Sequence, residues 1–356
     1  MNNKKLTLLG IIAAVMLAAA IFQTRLINRP PDASGEVSHL IQGLETDSIG
    51  SIEVKGKSEE VILSRSGNRF VVASKDNYPA NADMISDLIT VCLDIRSAEL
   101  ITDDPANHAD LGVTEETADL VVRFFDKGSK LITGLVVSEA DPKKRTRYAR
   151  LITNEDVHLI LYMPQRDASP IYYIDQELFV VNRDEIESVT VELPSESYTL
   201  KKIDGNVILE DVPDGKKLRD EKIHDQVFNA LAGMRFDDVM KQGNADIDLK
   251  FDKTFVCKLS DSTFYTLQVA VKDEKTFIKC TAEFADKRDI TKTQGLVESQ
   301  EVLNEKEAKL LARDSTENFA EDHAGWVYRI PQNKAQYLTK IVVDLVTNIE
   351  EQQPEE

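Results

Sequence analysis

Gly56-Lys57-Ser58 is the nearest approach to a nucleotide site in this 356-residue chain, because a glycine followed by Lys-Ser is how phosphate-cradling loops end. Such a loop also needs a glycine five residues upstream, where Ser51 stands, and it must open a helix. Here the triplet joins two strand-like runs, so it reads as a hairpin turn that presents no helix N-terminus to a phosphate. The five histidines (His39, His108, His158, His224, His323) are scattered, with no His-Glu-x-x-His and no nearby cysteine pair. Zinc therefore has no local signature, and solvated or locally bonded rings are expected. Asp246, Asp248 and Asp252 lack the glycine and the terminal glutamate of a calcium loop. Asp103-Asp104, Glu115-Glu116 and Asp237-Asp238 are adjacent carboxylates, whereas glycosidase chemistry holds two carboxyl groups about 5 to 9 Å apart across a cleft. With 62 acids in the chain, surface solvation is the simpler reading.

There is no Gly-x-Ser-x-Gly elbow for a serine hydrolase, and no cysteine has a convincing neighbouring base. Three cysteines exclude a disulfide-built scaffold. Cys92 on the apolar face of a predicted helix, and Cys257 and Cys280 in predicted strands, read as buried thiols, with a Cys257 to Cys280 bridge as the alternative. Lys143, Lys144, Arg145, Arg147 and Arg150 form one basic cluster, read as a charged hairpin that discourages edge pairing or as a contact for an acidic partner or a lipid surface. Trp326 and Tyr328 share one face of a strand, where burial against a terminal helix is expected. No catalytic, cofactor or metal-binding residue is assigned.

The elements that would carry these residues come in two similar sets. IGSIEV (49 to 54), VILSRS (61 to 66) and RFVVAS (69 to 74) precede a helix from about Asn81 to Leu93, then RSAELI (96 to 101). IESVTV (186 to 191), YTLKKI (198 to 203) and VILEDV (207 to 212) precede a helix from about Asp220 to Met234, then RFDDVM (235 to 240). Ile52 to Val189, Leu63 to Leu200 and Phe70 to Val207 are each 137 apart, and Arg96 to Arg235 is 139. The match continues from Leu120–Phe125 to Thr254–Leu259, as a duplicated module would. The first helix places Met84, Leu88, Cys92 and Ile85, Ile89, Leu93 in adjacent rows, with Asn81 and Asp83 as cap residues; the second does so with Ile223, Val227, Leu231 and Met234, with Asp220 as its cap. Short Gly, Asn or Asp turns (Ser66-Gly67-Asn68, Asp204-Gly205-Asn206) link successive strands.

The predicted class is α+β: two duplicated units of mainly antiparallel sheet, each with a covering helix, and a C-terminal helical extension. That extension comprises a helix from Glu301 to Arg313, a strand at 326 to 330 and an amphipathic helix from Asn333 to Ile349. The expected divisions are 1–29 stub and anchor, 30–48 linker and short helix, 49–183 first unit, 184–350 second unit with its C-terminal strand and helix, and 351–356 acidic tail.

Leu6 to Phe22 is the one long apolar run, with Lys4 and Lys5 before it and Arg25 and Arg29 after. Seventeen residues make about 25 Å of helix, enough for a bilayer core when the flanking cations reach the headgroups. Leu6, Leu9, Ile11, Ile12, Val15, Leu17 and Phe22 would face lipid in a single-pass anchor. A cleaved secretion signal is the rival, with Ala18-Ala19-Ala20 as its cleavage pattern, but the apolar run continues through Ile21 and Phe22. Both readings send the body outward, and the two-lysine stub is the cytoplasmic end. The first 29 residues carry four cations and no acid, so the remainder has a formal net charge of −23. A nucleic-acid partner is excluded on that charge.

HLIQGLETDSIGSIEV (39 to 54), YPANADMISDLI (78 to 89), LITDDPANHADLGV (100 to 113) and GWVYRIPQNKAQYL (325 to 338), in this order after an anchor, resemble the bacterial family of domain of unknown function 4340. Members often carry a tryptophan in the third strand, where this chain has Phe70 and Val207. The resemblance implies an envelope protein often encoded beside gliding-type ABC exporter permeases and their auxiliary subunits, and it transfers no catalytic residue. The expected role is a non-enzymatic accessory or scaffold protein of a bacterial envelope assembly, held in the inner or plasma membrane by its N-terminal helix. The ABC permease or auxiliary subunit is a partner by resemblance alone, and no cofactor is expected. The alternatives are an extracytoplasmic module that binds peptide, lipid or glycan, and a carboxylate-based hydrolase.

Overall fold

The computed structural model describes residues 38–142, 146–160, 163, 166–219, 222–243, 248–288 and 299–349. Leu6, Leu9, Ile11, Ile12, Val15, Leu17 and Phe22 of the expected anchor, the linker to residue 37, Lys143 to Arg145, Asp220, Asp246 and the acidic tail lie outside them. Among the described residues no helix is long and apolar enough to cross a membrane. The fold is mixed α+β with mostly antiparallel sheets and a C-terminal helix.

The first set of elements is β1 (Ile49–Lys55), β2 (Glu60–Ser66), β3 (Arg69–Val72), β4 (Tyr78–Pro79), α1 (Ala82–Asp94), β5 (Ser97–Thr102), β6 (Leu120–Asp126), β7 (Leu131–Val137), β8 (Arg147–Leu151) and β9 (Val157–Ile160). The second is β10 (Ile186–Glu192), β11 (Ser197–Ile203), β12 (Asn206–Leu209), β13 (Lys216–Leu218), α2 (Ile223–Phe228), β14 (Asp238–Lys241), β15 (Lys253–Leu259), β16 (Thr263–Lys272) and β17 (Lys275–Phe284). Then come α3 (Gln300–His323), β18 (Trp326–Ile330), α4 (Gln332–Ala335), α5 (Val342–Leu345) and β19 (Val346–Asn348).

One sheet runs β4-β3-β2-β1-β6-β7-β8-β9-β5 and the other β12-β11-β10-β15-β16-β17-β18-β14. With the two-residue β4 set aside, the second order repeats the first strand for strand. A 3-10 turn precedes each opening strand, at Thr46–Ser48 and at Arg183–Glu185. The β1–β6 ladder slips between Ile49 and Ser51, and the β10–β15 ladder slips between Ile186 and Ser188, a bulge at the same place in each. Alternation then buries Ile49, Ile52 and Val54 on β1 as it buries Ile186, Val189 and Val191 on β10.

By proximity the chain divides into two compact units, Met1–Ser58 with Ser86–Arg166, and Glu59–Ile85 with Asp167–Glu356. The first has an aliphatic core of Val113, Ala118, Val121, Val136 and Val157, with Leu111, Tyr148 and Ile152 packed on it. The first also encloses Phe124, and the second encloses six large rings: Tyr173, Phe179, Phe228, Phe236, Phe255 and Tyr328. A fully buried aromatic side chain contributes roughly 1.5 to 3 kcal/mol.

Helix α1 begins where the sequence places it, because the Asn81 carbonyl oxygen Oδ1 accepts from the Asp83 and Met84 backbone N–H groups at 2.9 and 3.2 Å. Ile85, Leu88 and Cys92 are its buried stripe. The second helix is much shorter than the expected span to Met234: α2 ends at Phe228, and turns carry Leu231 and Met234 into the core through Gly233 at φ 59°. Its single turn and a half packs on β10 and β12. The expected helix from Asn333 to Ile349 is also corrected. Only α4 and α5, four residues each, are helical, and Val346–Asn348 is a strand paired antiparallel with β13. The run Thr339, Ile341, Val342, Val343, Val346 and Thr347 is rich in β-branched residues, which are stiff in helices and pack well on strands. Conversely, α3 runs ten residues beyond the expected Arg313 and lies on β17. Thr316, its one buried residue, donates to the Ala312 carbonyl at 2.6 Å and meets Thr263 Oγ1 at 3.3 Å.

Candidate functional site

Most of the residue types that could do chemistry are held by a structural partner; His224 is an exception, with its Nδ1 buried and without a hydrogen-bond partner. Gly56-Lys57-Ser58 lies in the β1–β2 hairpin, where Lys57 pairs with Glu139. His108 Nε2 is 2.9 Å from the Glu155 carbonyl and His158 Nδ1 is 2.8 Å from Ser97 Oγ, while the His39 backbone forms an isolated β-bridge with that of Arg96. Of the acidic pairs, Asp104 accepts from the Ala106 N–H, Glu115 binds Arg123, and Asp237 and Asp238 both meet Arg329. The Arg123 hydrogen bond holds the Glu115 carboxyl below its ordinary range. Asp252 is bound by Lys250 and Lys253, and among the described residues no group of three or more His, Cys, Asp or Glu side chains is arranged to hold a metal ion.

Cys92, Cys257 and Cys280 are all free and buried. Burial pushes the Cys92 and Cys257 thiols up to about 12 and raises Cys280 as well, so none is a ready nucleophile. The Cys257 to Cys280 bridge is absent; the two sit on β15 and β17, with β16 between them. In the basic cluster, Arg147 pairs with Asp119 at 2.7 Å and Arg150 donates to the Val113 carbonyl at 2.8 Å. Strand β8, which carries both, is not an edge strand.

Tyr328 is fully buried and Trp326 half-buried, though the helix expected from Asn333 to Ile349 to cover them is not formed as one element. They meet Tyr78, whose ring centroid is 4.8 Å from that of Trp326, and Phe236, which is 4.9 Å from Tyr328. His323, at the end of α3, places Nδ1 at 2.6 Å from the Tyr328 hydroxyl, which is 3.4 Å from the Tyr78 hydroxyl. Burial drives the His323 imidazole down to about 4 and raises the Tyr328 phenol, so the chain of three polar groups is neutral at physiological pH.

Two cavities stand out. The larger, about 640 Å³ in the first compact unit, is lined by Ile101, Leu111, Tyr148 and Leu159 together with Asp110, Glu139 and Asp141. The other, about 480 Å³ in the second compact unit, is formed by the turn before β10, by α2 and its following turn, and by the α4 region. Among its charged side chains Arg183, Lys222 and Lys334 outnumber one acid, Asp225, and they lie beside Asn229 and Tyr337. Arg183 binds Asp225 at 2.7 Å and Lys334 donates to the Ala232 carbonyl at 2.7 Å, so both cations are fixed in place. The Asn229 Oδ1 atom is shielded from solvent and has no hydrogen-bond partner, a state that costs about 1 to 3 kcal/mol for a buried acceptor. Lys222 holds a left-handed backbone, φ 54°, where non-glycine residues are uncommon. These residues come from three separated segments, and sequence reading singled out none of them for binding.

The family model described as Domain of unknown function (DUF4340) matches residues 71–253, more than half of the chain. The chain belongs to this family. No curated protein and no solved structure matches it. In this member of the DUF4340 family the match starts in β3 and ends at the first residue of β15. It contains Arg183 and α2 of the second cavity, while Lys334 and Tyr337 lie beyond it.

Proposed function

We propose that this member of the family is a single-pass, extracytoplasmic accessory or scaffold protein of a bacterial envelope assembly, built on a duplicated module and without catalysis of its own. The observation that carries the reading is the apolar run Leu6 to Phe22 between Lys4-Lys5 and Arg25, Arg29, followed by a body of formal net charge −23. The nearly constant offset, 137 residues at three matching pairs, with the shared strand order and shared bulge, supports descent of both sheets from one ancestral module. The partner is an ABC-type exporter permease or its auxiliary subunit, as the family resemblance implies. Membrane fractionation with protease protection tests the location: the body is cleaved from the outer face of intact spheroplasts while the protein sediments with membranes. Recovery in the soluble fraction with its first thirty residues intact refutes it. Copurification from gently solubilised membranes tests the partner, and repeated isolation without a permease or envelope protein counts against it.

A second reading, a binding module, is favoured by the cavity of about 480 Å³ in which three cations face one acid. Its volume falls in the range of about 300 to 1,000 Å³ common to small-molecule sites.

A further inference from the structure

We propose that the N-terminal half of α3 is a docking surface for a second copy of this chain, the two helices meeting antiparallel across a twofold axis that passes between Lys306 and Glu307.

The two halves of α3 differ in what they touch. From Asp314 to His323 it carries four acids and no lysine or arginine, and this half packs on its own molecule: Thr316 is buried, Phe319 lies against Phe179 and Tyr265, and His323 reaches Tyr328. From Gln300 to Arg313 the charges cancel, with Glu301, Glu305 and Glu307 against Lys306, Lys309 and Arg313. This balanced half leaves Val302, Leu303, Leu310 and Leu311 exposed by 40%, 45%, 37% and 63%. Copies of a chain with a formal net charge of −19 repel one another, so a surface on which two of them meet needs local neutrality. Neutral and apolar together, this half of the helix meets that condition.

The order of the residues names the occupant. A helix turns about 100° and rises about 1.5 Å per residue, so Leu303 and Leu310 lie nearly on one line, with Lys306 and Glu307 on either side of its midpoint. Turning a second copy by half a rotation about the radial axis through that midpoint sets Leu303 against the partner's Leu310 and Val302 against the partner's Leu311. Lys306 then faces the partner's Glu307, and every contact occurs twice, as an isologous interface requires. A parallel pairing in register instead brings like charges together at both positions. An unrelated partner requires no such self-matching order. The contact spans only a few turns of each helix, roughly below the 1,200 Å² that separates weak from standard interfaces, so dissociation in the micromolar range is expected.

Sedimentation velocity of the full chain in detergent micelles, over a concentration series, provides the test. The expected result is a reversible dimer that Leu310→Glu weakens at least tenfold. Lys306→Glu and Glu307→Lys should each weaken it a few-fold by setting like charges opposite one another, and an equimolar mixture of the two variants should recover the loss because they then match each other. Far-ultraviolet circular dichroism confirms that the variants keep the fold. Direction is read from disulfide formation: Leu303→Cys mixed with Leu310→Cys should cross-link faster than either variant alone, the three native thiols being buried. A chain that stays monomeric throughout, or a dimer indifferent to Leu310→Glu, would overturn the proposal. So would fastest cross-linking in a single variant, or a monomeric chain whose copurifying envelope protein is lost with Leu310→Glu, which gives this face to another occupant.

Discussion

The two sheets share an order and a bulge, yet they solve the same local problem with different residues. At the first bulge stands Gly50, where an added Cβ would lie 2.5 Å from the Asp126 carbonyl oxygen and 2.6 Å from the Lys127 Cα, closer than such atoms come. At the second stands Glu187, with room for a full side chain that reaches Lys258 at 2.7 Å. The turn beyond β6 crowds its bulge, and the turn beyond β15 does not. A shared backbone path therefore does not imply shared tolerance. The far edges differ too. All six residues of β5 are at least partly exposed, with Leu100 and Ile101 open to solvent, whereas β14 buries Val239 and is flanked by the turn at Ala73–Lys75. There Asp76 accepts from the Lys241 N–H at 2.9 Å and Lys75 binds Asp238 at 2.6 Å.

Substitution at the two bulges is the strongest test of that contrast. Gly50→Ala should lower stability by about 2 to 4 kcal/mol through backbone displacement, and Glu187→Ala by under about 1 kcal/mol through loss of an exposed ion pair, both read from urea midpoints. Equal costs would mean that the bulges are alike in tightness. The second effect is acid sensitivity confined to the sheet that carries α3. Neutral His323 is preferred in the fold, and its folded value near 4 lies below the roughly 6.5 of an unfolded histidine. The unfolded chain thus binds the extra proton, and the stabilisation, complete above about 6.5, is lost as pH falls toward 4. Hydrogen exchange should show β17 and β18 loosening by a few kcal/mol over that window, with β6 and β7 lagging, and His323→Gln should flatten the profile.

A smaller change tests the helix-to-sheet contact itself. Thr316→Val removes the bonds to the Ala312 carbonyl and to Thr263, and should cost about 1 kcal/mol, seen as faster exchange along α3. Smallest is Lys75→Met at the covered edge, expected to cost about 0.5 kcal/mol in thermal unfolding because Arg329 still pairs with Asp238.

Much of this fold is legible where local chemistry decides it. The hairpin glycines Gly67 and Gly205 take φ of 62° and 81°, and the Asn81 cap is local in the same way. What escapes is set by distant residues. The periodicity of Ile223, Val227, Leu231 and Met234 reports burial correctly for the last three but not helix, since a turn places Leu231 and Met234 inward as effectively as a longer helix would. Val346–Asn348 is a strand because β13, more than a hundred residues earlier, supplies its ladder. Tyr328 is buried against Tyr78, 250 positions away, so no window along the chain could reveal that pair. The second cavity escapes for the same reason, since Arg183, Asn229 and Lys334 fall in segments with no common motif.

The three sealed thiols make this protein its own unfolding clock. Cys92 lies in one compact unit and Cys257 and Cys280 in the other. An alkylating reagent added to the native protein meets no ionised sulfur until a region opens, so the order in which these positions acquire label records which half lets go first. Wild-type material suffices, with mass spectrometry as the readout and no reporter introduced.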